Sequence, residues 1–101
     1  MNEQERVAAF VAEHGLETDL AHRVLDVESE LGEVAKEVAT STDYGSDPAA
    51  AAVATDEVGD ALFALLALAE TADVDAGDAL DESLAKYEAR IESSGDARSD
   101  R

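Results

Sequence analysis

Two acidic pairs invite a chemical reading before anything else in this chain. Glu30 and Glu33 stand three positions apart in "ESELGEV", and Glu57 and Asp60 repeat that spacing in "DEVGD". Both pairs sit beside residues of core type. Carboxylates held close together repel, and they persist as a group only when protonated or bridged by cations. Oxygen-only donors, with no His or Cys among them, suit a hard divalent ion, Mg2+ or Mn2+. With a formal charge of −18, the chain would repel a phosphate by its own field. A divalent ion can join protein carboxylate to phosphate oxygen across that barrier. One such pair alone reads as a solvated helix face. Two pairs that flank apolar stripes on consecutive helices read as a metal site.

Helices must carry these residues. On a helical wheel Leu31, Val34 and Val38 fall within about 40° of Val27, and Glu30, Glu33 and Glu37 border them at about 60° to 120°. Glu57 and Asp60 lie about 60° apart on a second helix. Antiparallel packing of the two would bring the acidic stripes together. A first helix is expected over residues 3–14, with Asn2 and Glu5 as a capping box, Val7, Phe10 and Val11 as its stripe, and Gly15 as its stop. The second helix is expected over residues 19–40 and the third over residues 48–70. Asp47 and Pro48 form the start signal of the third after a turn-rich loop. Its "ALFALLALA" is apolar on nearly every side and must be covered on more than one. A fourth helix follows Asp75, with Asp78 completing a cap and Leu80, Leu84, Tyr87 and Ile91 as its stripe.

The expected architecture is therefore all-α, a four-helix bundle over residues 1–92 with a polar tail over residues 93–101. One chain of 101 residues offers a modest core, so a homodimer or homotetramer that shares its core is expected. Absent cysteines exclude disulfides and thiolate metal sites. No apolar run is long enough for a membrane span, and "MNEQERVAAF" lacks the marks of a signal peptide, so a cytoplasmic location is expected. Asp and Glu number 25 against 7 Lys and Arg while the apolar periodicity stays intact. That pattern fits a salty cytoplasm, as in haloarchaea, where screening relieves self-repulsion. Nucleic-acid binding is disfavoured, because no basic stripe exists.

"ESELGEV", "DEVGDALFALLALA" and "DVDAGDALDESLAKYEARI" together resemble the MazG-like nucleotide pyrophosphohydrolases of the all-α NTP pyrophosphatase superfamily. The similarity covers roughly residues 20–91. It implies hydrolysis of a nucleoside triphosphate to monophosphate and pyrophosphate. Glu30, Glu33, Glu57 and Asp60 would hold Mg2+, Glu33 would act as general base, and Lys86 and Arg90 would neutralise phosphate oxygens. Two positions depart from the family pattern. Ser29 stands where a second acid often precedes the first ligand, and Leu84 lies where an Asn is common.

Rival readings share parts of this picture. A phosphoribosyl-ATP pyrophosphatase, or one specific for dUTP or dCTP, would use the same ligands. A non-catalytic acidic interaction module would keep only the bundle. Lys86 and Arg90 also read as surface ion pairs with Glu82 or neighbouring acids. His14 and His22 read as structural or exposed, Phe10 and Tyr87 as core, and Tyr44 as a loop residue packing locally.

Overall fold

Local chemistry sets most of the helix boundaries. The computed structural model describes residues 2–94, which form α1 (Asn2–His14), α2 (Leu20–Ser41), α3 (Thr55–Thr71) and α4 (Ala76–Ser94), with no strand among the described residues. The all-α, four-helix expectation holds. α4 continues through Ser94, and the polar tail expected from residue 93 lies, from residue 95 on, outside the described residues. Asp19 caps α2 by accepting the His22 N–H at 2.8 Å. Asp75 caps α4 by accepting the Asp78 N–H at 2.9 Å. Both carboxyls are held below their ordinary pKa, chiefly by those backbone N–H donors.

Three helices end alike. After each, the chain turns left-handed and an N–H bonds back to the carbonyl five residues earlier: Leu16 to Val11 O, Tyr44 to Ala39 O and Val74 to Ala69 O. The turns are made at Gly15, Asp43 and Asp73, with φ of 63°, 50° and 58°, and after Asp43 both Tyr44 (55°) and Gly45 (92°) keep a positive φ. Gly15 was legible as a stop. Asp is among the few other residues that tolerate this conformation.

The third helix starts later than the sequence suggests. Pro48 opens only a single 3-10 turn, Pro48–Ala50, and Asp47 makes no side-chain cap. Residues 51–54 then run without helix until Thr55. Alanine favours helix, but long-range bonds decide here. The Ala52 N–H donates to Ser41 Oγ and the Ala54 N–H to a Glu37 carboxylate oxygen, both on α2. These bonds hold the segment along α2 as a strap.

α3 is the central element, with α2 and α1 packed on it. The buried apolar residues are Val11 of α1 and Ala64, Leu66 and Ala67 of α3. Phe10 meets Phe63 edge to face at 5.9 Å between ring centres. α4 adds nothing to this core and buries no residue. Phe10 and Tyr87, expected to be buried, are 48% and 41% exposed. No further surface among the described residues covers them. Tyr44 does not pack locally either, being 79% exposed.

Buried polar residues fasten the helices together. Gln4 donates to Val74 O at 2.8 Å and to Glu70 Oε1 at 3.1 Å, and accepts the Ala76 N–H at 2.7 Å. It thereby pins α1 to the turn between α3 and α4. Arg23 donates to Thr71 Oγ1 at 3.2 Å and to Leu16 O at 2.9 Å. No helix among the described residues is long and apolar enough to cross a membrane.

Candidate metal centre

Helical spacing places the acidic residues before packing brings them together. On α2, Glu30, Glu33, Glu37 and Ser41 share a sector of about 80°. That sector faces the strap and the first turns of α3, as the Glu37 and Ser41 bonds require. Glu57 and Asp60 stand in those first turns. Across the α2–α3 interface, one carboxylate oxygen each from Glu30, Glu57 and Asp60 lies within 4.8 Å of the others.

The electrostatics are one-sided. Among the described residues no lysine or arginine forms an ion pair with a carboxylate; the close His–acid pairs are His14 with Glu13 and His22 with Asp19. Glu57 is half-buried, and its carboxyl is pushed above its ordinary pKa, first by desolvation and then by the charges of Asp56, Glu37, Glu33 and Asp60. Among the described residues, no lysine or arginine pairs with these carboxylates. Clustered carboxylate oxygens of this kind fit a hard divalent cation. The donor set is therefore one that could hold a divalent cation.

Beside the cluster lies a cleft of about 330 Å³, lined by Arg23, Asp26, Glu30, Asp60, Phe63 and Ala64. Arg23 is the cation in its wall. No sequence signal marked it, because its burial depends on the Leu16 carbonyl and the Thr71 hydroxyl.

The expected site residues divide into three groups. Glu30, Glu57 and Asp60 converge. Glu33 is exposed and stands outside the tight group, yet its charge reaches Glu57. Lys86 and Arg90 lie on α4, and neither lines the cleft. Among the described residues they form no ion pair with Glu82 or another acid. Instead Lys86 Nζ sits 5.1 Å and Arg90 Cζ 5.8 Å from the Tyr87 ring centre. Arg90 Nη1 is buried with no hydrogen-bond partner. His14 and His22 are exposed and take no part in the cluster. Glu37, read from sequence only as a member of the acidic stripe, proves to be the residue that holds the strap. Gly32 and Gly59 each face open space, so packing within this chain does not demand them.

Residues 20–94 match the family model of the MazG nucleotide pyrophosphohydrolase domain. No curated protein and no solved structure gives a significant match. The matched span takes in α2, α3 and α4, with all three converging carboxylates, and leaves out α1. A family that hydrolyses nucleotide pyrophosphate bonds and usually works with a divalent metal is consistent with an unneutralised carboxylate cluster beside a cleft. On that match over most of its length, the chain belongs to the MazG nucleotide pyrophosphohydrolase family.

Proposed function

We propose that this chain is a Mg2+-dependent nucleoside triphosphate pyrophosphohydrolase, converting NTP and water to NMP and pyrophosphate in nucleotide pool control or house-cleaning, with Mn2+ able to replace Mg2+. One observation carries the reading: carboxylate oxygens of Glu30, Glu57 and Asp60 gather from two helices within 4.8 Å of one another, and among the described residues no lysine or arginine pairs with them. Family membership supplies the reaction class.

Glu30, Glu57 and Asp60 would hold the ion, with Glu33 as the fourth ligand or as the base. A bound divalent ion supplies charge neutralisation for the triphosphate and lowers the pKa of water. Glu33 as base is supported by its exposure, its absence from the tight group and the reach of its charge to Glu57. It would take the proton of the water that attacks the α-phosphorus. Lys86 and Arg90 would neutralise phosphate oxygens, and the unpartnered Arg90 Nη1 is a donor ready for one.

The active form would be a homodimer or homotetramer in a salty cytoplasm. Leu80, Leu84, Tyr87 and Ile91 of α4 stand half-exposed in one chain, and a second copy would cover them. The test is a nucleotide panel with Mg2+ in molar KCl, including dUTP, dCTP and phosphoribosyl-ATP. Pyrophosphate is the expected product. Orthophosphate alone would contradict attack at the α-phosphorus, and no turnover on any substrate would favour a non-catalytic module.

A further inference from the structure

The start of α3 has a defect that a neighbouring helix repairs. Its N-cap residue is Ala54, whose side chain offers no acceptor. Counting on from there, Thr55, Asp56 and Glu57 are the first three helical residues. Glutamate at the third position commonly turns back to accept the N–H of the N-cap residue, as one half of a capping box. Glu57 stands at that third position. Left to local chemistry, its carboxylate would cap its own helix.

It does not do so, because the Ala54 N–H is already taken. Glu37 of α2 accepts it from seventeen positions earlier in the chain. Ser41, one turn further along α2, accepts the Ala52 N–H at 3.1 Å. The Glu57 carboxylate instead reaches Glu30 and Asp60.

We infer that Glu37 is a positioning residue for the metal centre: by capping α3 from outside, it releases the Glu57 carboxylate from capping duty and leaves it free to serve as a ligand. The inference rests on the proposed reading of Glu30, Glu57 and Asp60 as a divalent-ion site. Capping by Glu37 supplies a hydrogen-bond acceptor, and the acceptor needs no charge. Glutamine at position 37 should therefore do the same work, whereas alanine should let Glu57 swing back.

Two measurements on the full chain in 1 M KCl test this, with screening over about 3 Å suppressing purely electrostatic effects. The first follows Mn2+ binding by the loss of the free-ion EPR signal. Glu37→Ala is expected to bind Mn2+ about fivefold more weakly, the scale of a lost helix cap, while Glu37→Gln stays within about twofold of the parent. Equal weakening in both variants would overturn the inference, as would parent-like binding in Glu37→Ala. The second measurement is made in EDTA and needs no metal. The Ala54 amide should stay protected from hydrogen exchange in Glu37→Ala, because Glu57 takes over as acceptor. It should lose protection in Glu37→Ala/Glu57→Ala. Full loss in the single variant would overturn the inference. A parent protein that binds no Mn2+ would sink the metal reading, while the exchange result would still decide whether Glu37 and Glu57 compete for one N–H. Helicity by circular dichroism confirms that each variant folds; if Glu37→Ala does not, weakened Mn2+ binding in Glu37→Gln still overturns the inference.

Discussion

The two faces of α3 are finished to different degrees. Where its first turns meet α2, polar side chains complete the structure within one chain: Glu37 and Ser41 hold the strap, and three carboxylates converge. Toward its far end and α4, an apolar groove of about 650 Å³ runs between Leu20, Val24, Leu62, Leu65 and Leu80. All five of those side chains are at least 43% exposed. The first region is built from polar contacts within the chain. The second lacks a wall. The acidic cluster is therefore built on the α2–α3 pair, while α4 buries no residue against the described part of the chain.

The sharpest way to break that contrast is to neutralise one member of the acidic cluster. Glu57→Gln is expected to lower pyrophosphate release by more than about 100-fold, beyond the loss typical of changes outside the ligand shell. Oligomeric state and helicity should not change, because the groove lies elsewhere. A variant that keeps near-normal turnover would show that the convergence of Glu30, Glu57 and Asp60 is not the catalytic centre.

The reciprocal change attacks the groove. Leu80→Asp places a charge on the half-exposed stripe of α4. Burying one leucine contributes about 1.5–3 kcal/mol, so association should weaken by about 10- to 100-fold. Light scattering in molar KCl would report it as a shift toward monomer. An assembly that is unchanged in mass would mean that the covering surface lies elsewhere.

These expectations also mark what was legible in the sequence. Glu30, Glu57 and Asp60 were readable because a helix fixes which residues share a face, and that face follows from spacing alone. The apolar stripe of α4 was readable for the same reason, but its partner surface was not, since no pattern within the chain names it. The late start of α3 was hidden. Asp47, Pro48 and the alanines after it give a strong local helix signal, and two hydrogen bonds from α2 override it. Gln4 and Arg23 were hidden too. Their burial depends on backbone carbonyls, an N–H and a hydroxyl distant in sequence, and no periodicity reports those.

Gln4 offers a smaller test, at the turn between α3 and α4. Gln4→Ala leaves Val74 O and Ala76 N–H without their partner at the root of α4. An unmade bond to a buried group costs about 1–3 kcal/mol. The midpoint of thermal unfolding should fall by about 10 °C for about 2 kcal/mol in a domain this size. Mn2+ affinity should hardly change, because the acidic cluster sits at the other end of α3. A large drop in affinity would mean that the turn and the cluster are coupled.

The smallest expected effect concerns the charge of Glu57 itself. Its carboxyl is raised above 4.5 in the folded chain, through desolvation and the acids around it. The folded state therefore keeps this proton to a higher pH than the unfolded state does. Its contribution to stability is greatest at low pH and is lost as pH rises from 4.5 through the folded value. At neutral pH without divalent ions, ionised Glu57 opposes folding. In EDTA at low salt, Glu57→Gln should accordingly melt above the parent at pH 7, with the gap closing below pH 4. Adding Mn2+ at pH 7 should reverse the order, because the ion binds the folded parent and stabilises it by mass action. A parent that melts higher in EDTA, or gains nothing from Mn2+, would mean that the clustered acids are not held in wait for a cation, and the contrast between a closed acidic end and an open apolar one would lose its chemical half.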